Sequence, residues 1–383
     1  MLNVGFDFSS VVYDRGVSRY TYNLAKNLLL YHQNDLNLYL YGSSFGQYKK
    51  LESKITNLLS INKQKNNFCL QKKSISLLKF FWQVLKINKI KSIFPQINLY
   101  HSWDYLQPPD NNLCLISTVH DLALFKNKNL IHPQIYQAHL KNLNFLKKNN
   151  AHFLAVSLKT KKDLIDLFQI PPFKIDVVYE AIPEEIKLIS QNLSQDQYDL
   201  IKKKFNLNRP FIFFVGTREP RKNLIRAIQA WSKLQKYVDF IVAGENGWDK
   251  TEKLTHQYKN LHFLGKISDE ELTVLYNEAK LLLYPSLDEG FGLPILEAFY
   301  FGTPVVTSDI LALKEVAGNA AFFVNPLDVK SIYQGINKIL NENSLEQKLR
   351  LQKMIIRNQK FSWQKTAKET MLVYQKAYSN YYD

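Results

Sequence analysis

Two glutamates on either side of a turn are the residues of this sequence that most clearly suggest chemistry. Residues 288–306 read DEGFGLPILEAFYFGTPVV, which places Glu289 and Glu297 eight positions apart, with two glycines and a proline between them. A carboxylate can accept hydrogen bonds from two neighbouring hydroxyls. Hexoses and ribose both carry such hydroxyl pairs, so one glutamate is suited to a hexose and the other to a ribose.

The stretch reads as a strand, a loop, a helix and a second strand. LLLYPS (281–286) is apolar, and the glycines of LDEGFG allow backbone conformations that other residues resist. Pro294 suits the start of a helix, PILEAFYF, that ends at Gly302. Glu289 is therefore predicted in the loop and Glu297 about one turn into the helix, so both can face one pocket.

The start of this helix is predicted to bind an anion. The backbone amides of Phe291, Gly292 and Leu293 lie where the helix dipole favours negative charge. A diphosphate that joins a ribose to a hexose would place its charge there. An arbitrary pair of glutamates is more often solvated, but the glycines, the proline and the flanking strands favour the functional interpretation.

A basic cluster follows another predicted strand. FVGTREPRKNLIRAIQAW (214–231) places Arg218, Arg221 and Lys222 at or just before a helix start. Solvated loop cations are the usual explanation of such a cluster. Cations at the carboxyl end of a strand, beside free helix amides, also form a diphosphate clamp. Both clusters fall in the second half of the chain, which predicts a nucleotide-sugar site there.

Short apolar strands alternate with helical segments along the whole chain. This pattern predicts parallel sheets with helices on both faces. The predicted fold class is α/β, with two Rossmann-like doubly wound domains that face each other across a cleft. The predicted strands are 2–8, 36–42, 97–102, 114–121, 152–157, 174–179, 211–216, 238–244, 261–265, 281–286 and 303–308.

A polar stretch at 189–208 interrupts the alternation, and the domain boundary is predicted near 185–205. Residues 1–190 form an N-terminal domain that would bind the acceptor, and residues 191–360 form a nucleotide-sugar-binding domain. Residues 361–383 are predicted as a C-terminal helix that packs back toward the first domain, because their apolar residues recur at helical spacing.

The composition of the chain argues against a disordered protein, a disulfide-rich protein and a membrane-spanning protein. The chain has 383 residues, of which 46% are hydrophobic and 22% charged, as in a folded protein. Cys69 and Cys114 stand far apart and form no CxxC motif, which fits a reducing compartment. The start, MLNVGFDFSS, lacks a signal-peptide pattern, and no apolar run reaches about 18 residues. These features predict a cytoplasmic protein.

The net charge of +16 is unevenly distributed. Residues 41–100 hold 11 lysines and one acid, Glu52. Such a surface attracts a membrane, a nucleic acid or a phosphorylated substrate, although no nucleic-acid-binding module is recognisable. Residues 71–92, QKKSISLLKFFWQVLKINKIKS, allow two interpretations. They form either an amphipathic segment at the inner face of the cytoplasmic membrane, or a core-packed helix with solvated lysines.

The motifs together resemble those of the retaining glycosyltransferases of glycosyltransferase family 4, which have the GT-B fold. EGFGLPILE (289–297) matches the family's E-x7-E signature, and VGTREPRKN (215–223) matches its phosphate-binding turn. TVHDLALF (118–125), GVSRY (16–20) and FSWQKTAKE (361–369) match the VHD segment, the first glycine-bearing turn and the C-terminal helix. The phosphate-binding turn is similar to that of bacterial mannosyl- and rhamnosyltransferases that build surface polysaccharides such as lipopolysaccharide.

The resemblance implies a role for each matching residue. Glu297 would bind the ribose and Glu289 the donor hexose, while His120 would reach the transferred sugar at its C6 hydroxyl. Lys222, with Arg221 or Arg218, would neutralise the diphosphate. The other residues implied in donor binding are Gly16, Gly265, Lys266, Ile267, Gly290, Phe291, Gly292 and Leu293.

The sequence departs from the family pattern in two places. Ser18 replaces a second glycine of the first turn, where its hydroxyl could donate to a phosphate instead. YEAIP (179–183) replaces a common asparagine-glycine turn.

The expected reaction moves a hexose, mannose-like by preference, from a GDP- or UDP-type sugar to a glycan or lipid-linked acceptor. Neither a cofactor nor a metal is expected, because no DxD motif ends a predicted strand. The alternatives are a nucleotide-sugar epimerase or another GT-B enzyme, and a basic nucleic-acid-binding protein.

Overall fold

The computed structural model describes residues 1–13, 16–60, 67–103, 106–126, 133–247, 251 and 257–382. The chain divides into two units. Unit 1 consists of Met1–Glu180 and Ser362–Asp383, and unit 2 consists of Ala181–Phe361.

A parallel sheet forms the centre of unit 1. Its strands are β1 (Leu2–Asp7), β2 (Leu36–Ser43), β3 (Phe68–Gln71), β4 (Leu99–Trp103), β5 (Cys114–Val119), β6 (His152–Ala155) and β7 (Ile175–Val177). Among the described residues, these seven strands pair in the order β3-β2-β1-β4-β5-β6-β7. The order reverses between β1 and β4, as in doubly wound sheets.

A second parallel sheet forms the centre of unit 2. Its strands are β8 (Phe211–Val215), β9 (Asp239–Ala243), β10 (Leu261–Gly265), β11 (Leu281–Tyr284), β12 (Val305–Ser308) and β13 (Phe322–Val324). Within the described part of the unit they pair in the order β10-β9-β8-β11-β12-β13, which reverses between β8 and β11. Both units therefore confirm the predicted α/β, doubly wound class.

Helices connect the strands, because parallel neighbours need crossover connections. In unit 1 they are α1 (Gly16–Tyr31), α2 (Tyr48–Leu59), α3 (Ile75–Lys79), α4 (Ile90–Ile93), α5 (Ala123–Lys126), α6 (Pro133–Lys148) and α7 (Leu158–Phe168). In unit 2 they are α8 (Glu184–Asn192), α9 (Gln195–Lys204), α10 (Leu224–Trp231), α11 (Asp269–Glu278), α12 (Leu293–Tyr300), α13 (Leu311–Ala317), α14 (Val329–Leu340) and α15 (Ser344–Asn358). The last helix, α16 (Trp363–Tyr382), belongs to unit 1.

The polar stretch that predicted a boundary near 185–205 is folded. It forms α8 and α9, which both pack on α11 of unit 2. The first segment of unit 1 ends at Glu180, ten residues before the predicted domain end at residue 190. The strands β3 and β13 were not predicted, since each is short and lies at an edge of its sheet.

The C-terminal helix α16 packs against α1 of unit 1. Tyr374 of α16 hydrogen-bonds the Nδ1 of buried His101 at 2.7 Å, and Lys376 pairs with Asp176 at 2.9 Å. Polar contacts thus attach α16 to β4, through His101, and to the edge strand β7, through Asp176.

The lysine-rich segment 71–92 is partly core and partly surface. After β3, the chain forms α3, continues into a π-helical turn at Phe80–Leu85, and stops at Lys86 in a left-handed conformation (φ 52°). Leu78 and Trp82 are buried in the core of unit 1. The exposed apolar side chains are Leu77, Phe80, Val84, Leu85 and Ile87.

Candidate functional site

Two neighbouring strands of the unit 2 sheet bring the predicted site residues together. The strand order reverses between β8 and β11, and in open α/β sheets ligands bind beyond the carboxyl ends of the strands at such a reversal. The chain leaves β8 into residues 216–223 and leaves β11 into residues 285–292. The basic cluster and the glutamate loop therefore meet at one edge of the sheet.

Glu289 lies at the centre of a buried charged cluster and is 5% exposed. Its Oε1 accepts hydrogen bonds from Lys222 Nζ at 2.6 Å and from the Tyr284 hydroxyl at 2.7 Å. Its Oε2 accepts from Arg221 at 2.8 Å. Burial alone would raise the pKa of the Glu289 carboxyl, but Lys222 and Arg221 lower this pKa to about 2. The carboxylate is therefore ionised at neutral pH and held in one orientation.

Arg221 cross-links the two loops. Its Nε and one terminal nitrogen donate to Glu219 Oε1 at 3.0 and 2.6 Å. Its other terminal nitrogen donates to the Asp288 carbonyl at 2.9 Å, in addition to Glu289. The Arg221 carbonyl accepts from the Leu287 amide at 2.8 Å. Arg221 thus has a positioning role toward Glu289 as well as a charge.

Backbone conformation allows the loops to approach one another. Asn223 adopts a left-handed conformation (φ 62°), and its amide donates to the carbonyls of Pro285 and Pro326 at 2.9 and 2.7 Å. Gly244, at the end of β9, has φ 139°, and a Cβ there would lie 2.0 Å from the Gly216 carbonyl oxygen. Glycine is therefore required at position 244.

Glu297 occupies the predicted helix, α12. It is buried and accepts a hydrogen bond from the Tyr276 hydroxyl of α11 at 2.8 Å. Gly292 precedes the helix with φ 105°, where a Cβ would meet Leu313 at 2.6 Å. Leu293 begins the helix, as the sequence predicts within one residue.

Arg218 lies on the β9–β10 side of the same edge. Its guanidinium stands over the ring of Phe263, 4.9 Å from the centroid, and donates to Asn246 Oδ1 at 2.6 Å. Gly265 ends β10 with φ 67°, and its carbonyl accepts from the Gly244 amide at 2.8 Å. The segment predicted to receive the base, 265–267, therefore begins at the carboxyl end of β10, the neighbour of β9.

Three of the residues singled out in the sequence, His120, Gly16 and Ser18, lie in unit 1. His120 follows β5, and its Nδ1 lies 2.9 Å from Glu180 Oε1. Gly16 is the first residue of α1, and a Cβ there would meet nothing within 4 Å. The Ser18 hydroxyl donates to the Ser10 carbonyl at 2.5 Å, so its expected donation to a phosphate would require a change of partner.

Sequence reasoning missed several residues that contact predicted site residues, among them two glutamates and two tyrosines. Glu219 contacts Arg221, and Glu180, in the segment YEAIP that departs from the family pattern, contacts His120. The two tyrosines, Tyr284 and Tyr276, contact Glu289 and Glu297. The available signal was a tyrosine at the carboxyl end of the otherwise aliphatic strand LLLY.

Part of the chain matches a known protein family. The family described as glycosyl transferases group 1 matches residues 197–361, a range that includes both charged clusters. This segment of the chain is similar to that family, in agreement with the resemblance predicted from the motifs.

Two of the relatives are named as mannosyltransferases. The chain is 31% identical over 265 residues to the serotype-specific mannosyltransferase WbdA of Escherichia coli. The aligned region covers 66% of this chain and 32% of WbdA. The chain therefore spans about a third of the length of that relative. It is 27% identical to the O-antigen chain mannosyltransferase B of Escherichia coli, over 94% of this chain and 95% of the relative.

A solved structure shares the fold. The structure of Anabaena Alr3699/HepE in complex with UDP and glucose matches with a TM-score of 0.69 and 15% identity, over 98% of this chain and 100% of that one. At this identity the likeness shows the fold.

The described residues contain no group of three or more His, Cys, Asp and Glu side chains arranged for a metal ion. In the same part of the chain, no helix is both long enough and apolar enough to cross a bilayer.

Proposed function

We propose that the chain is a retaining glycosyltransferase that moves a hexose from a nucleotide-diphosphate sugar to a glycan or lipid-linked acceptor. The observation that carries this proposal is the buried cluster of Glu289, Lys222 and Arg221 at the reversal of the unit 2 sheet. The cluster offers a fixed carboxylate to sugar hydroxyls, beside cations suited to a diphosphate. It lies within the segment that matches the group 1 glycosyl transferases.

Each part of the donor has its own partners in this proposal. Glu289 accepts from the hexose hydroxyls, and Glu297 accepts from the ribose. Lys222 supplies charge to the diphosphate, assisted by Arg221 or Arg218. The backbone groups proposed to contact the sugar, the phosphates and the base are those of Gly290, Phe291, Gly292, Leu293, Gly265, Lys266 and Ile267.

The proposed reaction exchanges one bond at the anomeric carbon for another. The bond from that carbon to the diphosphate oxygen breaks, and a bond to the acceptor oxygen forms. The acceptor proton passes to the departing diphosphate, whose charge Lys222 and the amides before α12 stabilise. These groups supply the stabilisation that a divalent ion would otherwise provide, and we propose that no metal takes part. In unit 1, His120 binds the C6 hydroxyl and Gly16 leaves room for the ligand.

The names of the relatives favour mannose and surface polysaccharide. WbdA and the O-antigen chain mannosyltransferase B are both named as mannosyltransferases. We therefore propose a GDP- or UDP-type donor with a mannose-like hexose, used in the synthesis of a surface polysaccharide such as lipopolysaccharide.

A binding and turnover experiment tests the proposal. The melting temperature of the chain is measured with GDP-mannose, UDP-glucose, ADP-glucose and dTDP-rhamnose, since a ligand of the folded state raises it. The stabilising sugar is then incubated with and without a lipid-linked glycan extract. Hexose transfer that needs the acceptor supports the proposal, whereas a donor that changes without acceptor identifies an epimerase.

A matched pair of variants ties that activity to the cluster. Lys222→Ala should abolish transfer, because Lys222 touches Glu289 and is proposed to bind the diphosphate. Lys202→Ala removes a lysine that also pairs with a glutamate, Glu278 at 3.1 Å, but on α9. It should leave transfer unchanged. Equal activity of wild type and Lys222→Ala would refute the proposed site.

We also propose that unit 1 contacts an anionic membrane at the cytoplasmic face. The docking surface consists of Leu77, Phe80, Val84, Leu85 and Ile87 with the lysines of 71–92. Val84 is 66% exposed, and no acid occurs among residues 71–92 to oppose the lysines. Exposed apolar side chains interleaved with cations are complementary to anionic lipid head groups above acyl chains.

Sedimentation with liposomes tests this surface. The wild-type chain should sediment with phosphatidylglycerol vesicles at low salt and remain in solution with phosphatidylcholine vesicles. The variant with Lys72, Lys73, Lys79 and Lys86 changed to Glu should not sediment. A variant with Lys203, Lys348, Lys353 and Lys360 changed to Glu carries the same charge change in unit 2. If both variants lose binding equally, the surface at 71–92 is not the membrane anchor.

A further inference from the structure

Each signature glutamate is contacted by a buried tyrosine hydroxyl. Tyr284 ends β11 and contacts Glu289, and Tyr276 on α11 contacts Glu297. The two tyrosines come from different elements and lie eight residues apart, as the glutamates do. The repetition of one contact at both ends of the proposed donor site raises the question of what the hydroxyls do.

The Tyr284 hydroxyl joins the anionic and cationic parts of the cluster. It receives a hydrogen bond from Lys222 Nζ at 2.9 Å and donates to Glu289 Oε1 at 2.7 Å. Burial raises the pKa of the Tyr284 phenol well above its usual range, and the Glu289 charge raises it further. The phenol therefore keeps its proton and serves as a donor to the carboxylate.

This contact becomes more important when a diphosphate approaches Lys222. The ammonium that now contacts Glu289 is then drawn toward the phosphate oxygens. Glu289 would lose part of its positive surroundings while it must still face the hexose. The Tyr284 hydroxyl and Arg221 keep both carboxylate oxygens in place during that exchange.

The Tyr276 contact is simpler. Its hydroxyl donates to Glu297 Oε2 at 2.8 Å, and its ring stacks on Phe301 with an angle of 12° between the ring planes. Phe213 packs edge-on against the same ring. Two aromatic rings thus hold the Tyr276 ring, and the hydroxyl orients the carboxylate proposed to bind the ribose.

We propose that Tyr284 and Tyr276 are positioning residues for different parts of the donor. Tyr284 acts through Glu289 on the hexose, and Tyr276 acts through Glu297 on the ribose. This inference rests on the proposed function, because it uses the donor parts assigned there to the two glutamates.

A crossed binding experiment tests the assignment. Dissociation constants are measured for GDP and GDP-mannose, or for UDP and UDP-glucose where only that pair binds the wild-type chain. Tyr284→Phe should weaken binding of the nucleotide sugar about tenfold and leave the free nucleoside diphosphate within about twofold. Tyr276→Phe should weaken both ligands about tenfold, because both contain the ribose.

Two further variants separate positioning from packing. Tyr198→Phe removes a hydroxyl that donates to another glutamate of unit 2, Glu278 at 2.8 Å, and should bind both ligands as the wild type does. A Tyr284→Phe/Glu289→Gln double variant should bind the nucleotide sugar no more weakly than Glu289→Gln alone, because Tyr284 acts through Glu289.

The outcomes are distinguishable. Equal weakening of both ligands by Tyr284→Phe would overturn the assignment of that tyrosine to the hexose, and no weakening would overturn its positioning role. Additive losses in the double variant would show that Tyr284 does not act through Glu289. Failure of the wild-type chain to bind either pair of ligands would overturn the proposed function, and this inference with it.

Discussion

Replacement of Glu289 by glutamine should make the stability of unit 2 less sensitive to acid. The Glu289 carboxyl has a pKa of about 2 in the folded chain, compared with an ordinary value of 4.5. Because the folded pKa is the lower one, this group stabilises the fold above pH 4.5 and loses that effect as the pH falls toward 2. The difference corresponds to about 3 kcal/mol at pH 7 and about 1 kcal/mol at pH 3.

The measured quantity is the difference in unfolding free energy between the wild type and Glu289→Gln. Glutamine does not titrate, so this difference should shrink by about 2 kcal/mol between pH 7 and pH 3. Urea unfolding, with pulsed hydrogen exchange in the peptides that contain β8 and β11, follows unit 2 by itself. Glu52→Gln, on the exposed side of α2, is the control for loss of a carboxylate elsewhere. A difference that stays constant with pH would refute the argument that Lys222 and Arg221 hold the carboxylate ionised.

Three further changes address the surroundings of the site. Gly244→Ala places a Cβ 2.0 Å from the carbonyl oxygen that follows β8, so it should lower the melting temperature and abolish donor binding in a thermal-shift assay. Glu219→Gln removes one of the two carboxylates beside Arg221, so calorimetry should show a severalfold tighter binding of the free nucleoside diphosphate. Glu180→Ala removes the acceptor that orients the His120 ring, and steady-state kinetics should show kcat about tenfold lower; Glu180→Gln, whose oxygen still accepts from Nδ1, should restore it.

Periodicity in the sequence predicts most of the fold, because each element has a local signal. The segment LKTKKDLIDLF predicts α7 at 158–168, and the structure has the same bounds. The signal fails where the element is short. Three residues, Phe322–Val324, form β13 through pairing with β12, and nothing local distinguishes them from a loop. The polar run that begins at residue 189 predicted only a nearby domain boundary, yet most of its residues lie in α8 and α9, because helices that expose most of one side are rich in polar residues.

The site was predictable only where spacing along the chain encodes it. Glu289 and Glu297 share one loop and one helix, so their separation could be interpreted directly. The contacts of Tyr284 could not be predicted in this way. Its hydroxyl contacts Glu289 and also Lys222, which lies 62 positions from Tyr284 and comes close to it because β11 pairs with β8. A tyrosine in an aliphatic strand is usually core. Only the tertiary structure shows that its hydroxyl reaches the strand end.

The charge of the whole chain and the charge of the site have different consequences. The excess of +16 is concentrated in residues 41–100, whereas at the site Arg221 and Lys222 contact Glu219 and Glu289, which balance them. In the proposed site, an incoming diphosphate would therefore compete with these carboxylates for the two cations, and the geometry of Glu289 and Tyr284 would decide which sugar is bound. Screening by salt weakens interactions between exposed charges much more than those between buried ones. Salt should consequently release the chain from anionic vesicles at concentrations that leave binding of the nucleotide sugar nearly unchanged.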